Sequence, residues 1–208
     1  MDSFSSRNWL RTLGWCFLAG FALLGLTDFF HTATGVQKYL IDLPGLMLKP
    51  YNWPLYLPVQ MGLITTGAGL LWALLFNHLL QPRLKMKEDE DRQPLGKGLV
   101  PVTVLMIIAG FFLGWVTLGY EYHLSLYLVF YILSLVIVSL FFSRYYLLAF
   151  LLVGLSGPLA EWLLLAPSVG YYEFVQKDLF GRVPGWQLFA YGWGGLFFHF
   201  ITRPVRKY

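Results

Sequence analysis

Six long apolar stretches dominate the chain, at residues 13–30, 57–80, 99–119, 124–142, 146–165 and 185–201. A hydrocarbon core about 30 Å thick is crossed by about 20 apolar residues in helical form. Backbone N–H and C=O groups left unpaired in lipid cost several kcal/mol each, so these stretches are expected to be helices. Only the fifth carries a charge near its centre, Glu161. The composition agrees, with 57% hydrophobic and 12% charged residues, against about 25% charged in soluble domains. The expected fold class is all-α, a polytopic bundle of six transmembrane helices forming a single domain over residues 1–208.

The basic residues fix an orientation. Arg7, Arg11, Arg83, Lys85, Lys87, Arg92, Lys97, Arg144, Arg203, Arg206 and Lys207 fall on one side of the alternating stretches. Lys38, Lys49, Lys177 and Arg182 fall on the other. Eleven against four places both termini in the cytoplasm, because cytoplasmic loops carry the Lys/Arg excess. The expected location is a membrane. The amino-terminal run lacks an obvious small-residue cleavage site and reads as a retained span. The net charge of +4 sits in loops and tails rather than in a basic stripe interleaved with aromatics, which argues against nucleic-acid binding.

Two connections have their own character. Residues 31–56 are too broken by Pro and Gly to span, and are expected to lie in the outer interface with Tyr51, Trp53 and Tyr56 as aromatic anchors. Residues 84–98 are polar and read as a solvated loop. Small residues recur where helices would meet: Gly62, Gly67, Ala68 and Gly69 in the second span, Gly110 and Gly114 in the third, and Gly192, Gly194 and Gly195 in the sixth.

The residues that would carry chemistry are few. Glu161 follows Pro158 within an apolar helix, where a carboxylate needs a partner or a proton. His199 in the sixth span is its expected partner by chemical type. Arg203 reads as a helix-end anchor. His31, His78 and His123 lie near span ends and read as interfacial, and Asp28 and Glu121 as wet helix-end residues or headgroup contacts. Cys16 is the only cysteine, which excludes an intrachain disulfide and a cysteine-cluster metal site. No ligand spacing suggests a metal, no motif implies a cofactor, and no nucleophile elbow, phosphate loop or kinase-like set is present.

Several stretches resemble the Insig family of six-span membrane proteins. YLPVQMGLITTGAGLLW is similar to the family's segment at the second span, with Pro58, Gly62, Gly69 and Leu70–Leu71 in register. His123-Leu124-Ser125-Leu126 resembles the start of its fourth helix. Glu161 falls near a Gln of its fifth helix, allowing a short insertion. Tyr172, Phe174 and Asp178 match its tyrosine-rich outer loop, Trp186 its tryptophan, and Gly194–Gly195 and Arg203 its last helix. The resemblance covers roughly two-thirds of the chain.

It implies a six-helix bundle with a lipid-accessible cavity. Eukaryotic members bind oxysterol and retain a sterol-sensing partner in the endoplasmic reticulum; a bacterial member holds diacylglycerol. The family's Asp after the fourth helix, needed for that retention, is absent from Phe142-Ser143-Arg144-Tyr145. The resemblance therefore implies a bacterial-type, non-enzymatic lipid-binding protein whose partner is a diacylglycerol- or sterol-like membrane lipid. The candidate ligand-binding residues are Gln60, Glu161, Tyr171, Tyr172, Trp186, Trp193 and His199. Two alternatives stay open: a membrane enzyme acting on isoprenoid or carotenoid lipids with Glu161 as general acid, and a structural subunit assembled with copies of itself or another membrane protein.

Overall fold

Gly20, midway along the first helix, sits so close to the second that a Cβ placed on it would overlap the Thr65 hydroxyl. The same exchange of small for large recurs along this helix pair. Gly62 receives the Phe17 ring, Gly69 receives the Cys16 sulfur, and Gly25 lies against Pro58. In lipid the tails are as apolar as the side chains, so close backbone approach and dispersion hold helices together.

The computed structural model describes residues 6–41, 45–85, 104, 123–165, 170–177 and 179–206, without the side chains of residues 123, 124 and 141. Helix α1 runs Ser6–Ala33 and includes a wider π-type turn at Gly20–Leu24. Helix α2 runs Leu57–Leu84, with a second such turn at Phe76–Leu80. Helices α3 (His123–Phe141), α4 (Arg144–Leu164) and α5 (Trp186–Ile201) follow. These five helices lie on five of the six apolar stretches. The third stretch apart from Val104, the Gly110/Gly114 pair, Glu121, Asp178 and most of the polar 84–98 segment fall outside the described residues.

Three of the helices, α1, α2 and α4, are long and apolar enough to cross a bilayer. Their outward faces carry large apolar side chains, among them Leu63, Leu71 and Leu155. A soluble chain cannot sustain that much exposed hydrocarbon, and a bilayer covers it. The chain is an integral membrane protein.

Helices α4 and α5 form the other tight pair. A Cβ on Gly195 would overlap the Ala149 carbonyl oxygen, and one on Gly154 would lie 3.2 Å from Gly192 Cα. Around this seam Tyr131, Tyr146, Phe150, Trp193, Leu196 and Phe200 form the main core. Trp193 donates its indole N–H to Ser134 Oγ at 3.2 Å, so the one polar atom of that large side chain is not left bare.

Two antiparallel ribbons amend the all-α expectation: the chain is mostly helical, with paired strands in its connections. Strand β1 (Gln37–Tyr39) pairs with β4 (Tyr172–Phe174), and β2 (Met47–Leu48) with β3 (Trp53–Pro54). Enclosed connections need hydrogen bonds for their backbone groups, and pairing supplies them locally. The alternation in QKY also turns Gln37 and Tyr39 inward and Lys38 outward, as a strand's two-residue period requires. Trp53 departs from the expected anchor role. It is buried in a cluster with Tyr39, Met47 and Leu57, while Tyr51 remains exposed.

Candidate functional site

The β1–β4 ribbon caps a cavity of about 180 Å³ walled by α1, α2, α4 and α5. Its construction begins with the register of the ribbon, which sets Tyr39 opposite Tyr172. Their rings lie 5.6 Å apart, and each phenol points at an acidic side chain. Tyr39 donates to the Asp28 carboxylate at 2.9 Å, and Tyr172 donates to Glu161. One cross-strand pair therefore ties a carboxylate of α1 to a carboxylate of α4. Lys38 and Glu173, on the opposite face of the ribbon, form the oppositely charged pair that such positions favour.

Asp28 is buried, 8% exposed. Besides Tyr39 it accepts from Gln37 Nε2 at 2.6 Å and from Trp53 Nε1 at 2.8 Å. Taking a carboxylate from water costs several kcal/mol. Three charge-assisted hydrogen bonds, each contributing about 1.5–3 kcal/mol, offset that cost. The wet helix-end reading of Asp28 is thereby corrected: residues 37–53 fold back over it. Glu161 accepts from Tyr191 at 2.8 Å as well as from Tyr172, one phenol on each carboxylate oxygen. Burial and the neighbouring acid push the phenols of Tyr39 and Tyr172 well above the usual tyrosine range, so both remain protonated donors. On the outer surface, the hydrogen bond and charge of Lys177 hold Glu173 below the usual carboxylate range.

Trp186 and Gln187 open α5 and also face the cavity. His31, two residues before the end of α1, lies edge-on to the Trp186 ring at 5.1 Å and is buried. A second, larger cavity of about 690 Å³ runs between the first half of α1 and the end of α5, from Asn8 and Arg11 to Ile201 and Pro204. Ala19, Leu23 and Phe197 line both, so these three side chains form a shared wall.

Of the candidate ligand-binding residues, Glu161, Tyr172 and Trp186 line the chamber under the ribbon. Gln60 is exposed on the outer face of α2, and Tyr171 is exposed in the loop before β4. Trp193 is held in the α3–α4–α5 core. His199 does not meet Glu161. It is buried near the end of α5, with its ring edge-on to Tyr146 at 4.5 Å and Arg206 Nη1 2.8 Å from its Nε2. The pairing expected from chemical type gives way to geometry, since Glu161 lies within a turn of the end of α4 and His199 within a turn of the end of α5, and the two helices pack antiparallel. Sequence reasoning gave Asp28 no buried role and did not single out Gln37, Tyr39, Gln187 or Tyr191. The alternating VQKYL and YYEFV segments carried a signal for the ribbon, but nothing in the sequence indicated its register.

The fold and chamber define a class: an integral membrane helical bundle enclosing a mostly apolar cavity with two carboxylates in its wall. That bundle has solved counterparts. The chain superposes on the mycobacterial Insig homologue MvINS from Mycobacterium vanbaalenii with a TM-score of 0.64, over 95% of this chain and 96% of that one, at 14% sequence identity. A cross-linked MvINS trimer gives a TM-score of 0.63 at 15% identity with the same coverage. The fold is therefore Insig-like, as the resemblance in the sequence implied. By sequence the chain matches no family model and no curated protein.

Proposed function

We propose that this chain is a bacterial-type, six-span relative of the Insig proteins that holds one neutral membrane lipid without transforming it. The lipid's head occupies the chamber between Asp28, Glu161 and Trp186, and its hydrocarbon lies in the groove along α1 and α5. The observation that carries this reading is a capped, mostly apolar chamber with Asp28 and Glu161 among its few polar groups, lying beside a second, larger cavity along α1 and α5. Ligand sites are mostly apolar concavities with a few polar groups that fix orientation. A diacylglycerol- or sterol-like molecule has that division of polarity. The cytoplasmic placing of both termini rests on the charge asymmetry, the six crossings on the apolar stretches, and the bacterial inner membrane on the bacterial-type resemblance. A homo-oligomer is part of the proposal, supported by the cross-linked trimer formed by the MvINS variant.

The test is native mass spectrometry and lipid extraction of protein purified in mild detergent. One lipid per protomer is expected; protein free of lipid under those conditions refutes the reading.

A second reading gains support from the geometry. An enzyme acting on isoprenoids needs an acid to protonate an alkene and a base to complete the reaction. Asp28 and Glu161 both line the chamber, although the sequence suggested one intramembrane carboxylate. Each carboxylate is already engaged by protein donors, which favours the binding role. An unchanged isoprenoid and pigment profile on deleting the gene removes the enzymatic reading.

A further inference from the structure

A tight turn between β4 and α5 holds an aromatic ring outward in a backbone conformation that such a residue seldom takes. Leu179 and Val183 pair across it, their N–H groups donating to each other's carbonyls at 2.9 and 3.2 Å. Between them Phe180 and Gly181 both have positive φ, 51° and 71°. Glycine adopts that region without steric cost, whereas a bulky side chain there is an outlier. The Phe180 ring is 70% exposed, so packing within the chain does not offset the strain. Outliers of this kind persist where the surroundings fix them, and they cluster at functional positions.

The last turn of α4 does the fixing. Trp162 Nε1 donates to the Phe180 carbonyl at 3.2 Å. Arg182 stacks on the Trp162 ring with its guanidinium 4.6 Å from the centroid, and its Nη1 donates to the Trp162 carbonyl at 3.4 Å. That carbonyl is one of the four that a helix end leaves without an internal partner. A guanidinium has five N–H donors; this contact engages one, and among the described residues no carboxylate is bonded to Arg182.

The bilayer lies against this corner. Leu155, Leu159 and Leu163 recur every four residues on α4 and are all exposed, which makes them a lipid-facing stripe. Trp162, next to Leu163, ties Phe180 to the end of that stripe. Aromatic rings favour the level where acyl chains give way to headgroups, and a guanidinium matches phosphate oxygens two at a time.

We propose that Trp162, Phe180 and Arg182 form a phospholipid-docking site on the membrane-facing surface. The guanidinium holds the phosphate of one headgroup while the Phe180 ring enters the acyl boundary beside it. The site is separate from the chamber and does not depend on what the chamber holds. Because the turn joins β4 to α5, a docked phospholipid also steadies the segment between the ribbon and Trp186.

Two experiments on the full-length protein test this. In the first, Phe180→Cys and Lys177→Cys are each spin-labelled in vesicles of dioleoyl phosphatidylglycerol; the native Cys16 is buried. The label at 180 is expected to collide more with oxygen, which concentrates among acyl chains, and less with a water-soluble nickel chelate than the label at 177. Equal access of the chelate to both positions overturns the site.

In the second, delipidated protein is titrated with dioleoyl phosphatidylglycerol and, separately, with dioleoylglycerol, which lacks the phosphate, and followed by native mass spectrometry. Arg182→Gln is expected to weaken the tightest phosphatidylglycerol site about tenfold, the loss of a charge-assisted hydrogen bond, and to leave dioleoylglycerol unchanged. Arg182→Lys keeps the charge without the planar fork and is expected to fall between. Phosphatidylglycerol binding equal in Arg182→Gln and the unaltered protein overturns the site. Equal weakening of both lipids overturns it too, since Arg182 then acts through the fold.

Discussion

The indole N–H of Trp53 lies 2.8 Å from Oδ2 of Asp28, joining residues 25 positions apart in the chain. This bond fastens the long connection between α1 and α2 down onto the chamber. Trp53→Phe keeps an aromatic ring and removes the donor. It is expected to lower stability by about 1.5–3 kcal/mol, the range for a hydrogen bond to a charged group. Asp28→Ala, which strands three donors, is expected to cost more. The readout is the thermal unfolding midpoint in detergent; an unchanged midpoint for Trp53→Phe would mean the bond contributes nothing.

Tyr172 and Tyr191 reach Glu161 from different elements, β4 and α5. Because they share one carboxylate, their contributions are coupled. Each Phe substitution alone leaves Glu161 a single phenol, while the double variant leaves it bare in a low-dielectric site. The double loss is expected to exceed the sum of the single losses by about 0.5–3 kcal/mol, as for residues within one hydrogen-bond network. A double-mutant cycle on unfolding free energy checks this, and strict additivity would count against a shared acceptor.

The seam between α4 and α5 leaves no room at Gly195. Gly195→Ala pushes a methyl group against the Ala149 carbonyl oxygen and Val153 Cβ, and overpacking of this kind costs about 1–3 kcal/mol. Gly67, in α2, meets nothing within 4 Å. Gly67→Ala is expected to be neutral or to stabilise by up to about 1 kcal/mol through helix propensity. The pair is measured side by side, and a Gly67→Ala variant as damaged as Gly195→Ala would show that the close approach is not the cause.

The proposed orientation is open to chemical labelling because Cys16, the one native cysteine, is buried. Lys177 and Lys85 are both exposed. In intact cells a membrane-impermeant maleimide is expected to modify Lys177→Cys, and to reach Lys85→Cys only after permeabilisation. The reverse pattern would invert the topology. Labelling of both from one side would break the alternation of spans.

The C-terminal segment is held by another long-range bond. Asn77 Nδ2 donates to the Val205 carbonyl at 3.0 Å, and the Arg206 guanidinium lies over the Phe76 ring at 4.8 Å. Asn77→Leu removes the donor at similar volume. It is expected to cost about 1 kcal/mol and to speed carboxypeptidase removal of the last residues. A digestion rate equal to that of the unaltered protein would show that the segment is held by other contacts.

Apolar run length, basic-residue asymmetry and the small residues of the spans were readable from the sequence, because each obeys a local rule. A span must be about as long as the bilayer is thick, and helices touch most closely where side chains are small. Glycine identity alone did not say which positions are contacts: Gly62, Gly69, Gly192 and Gly195 abut a neighbour, whereas Gly67 and Gly194 meet nothing. Rotation of each helix about its axis makes that difference, and rotation is set by the partner helix.

The site divided in the same way. Glu161 stood out because a charge in an apolar run is conspicuous wherever its helix goes. Asp28 did not, because one acid near a span end is ordinary until the following loop closes over it. The sequence by itself determined that this chain is a membrane bundle with an acid in its fifth apolar stretch. Tertiary structure alone decided that a second acid faces the same chamber, that Tyr39 stands opposite Tyr172 between them, and that His199 is placed elsewhere. Span formation depends on the composition of a continuous segment. A chamber depends on which distant segments meet, and the hydrogen bonds that select those meetings form only once the helices are packed.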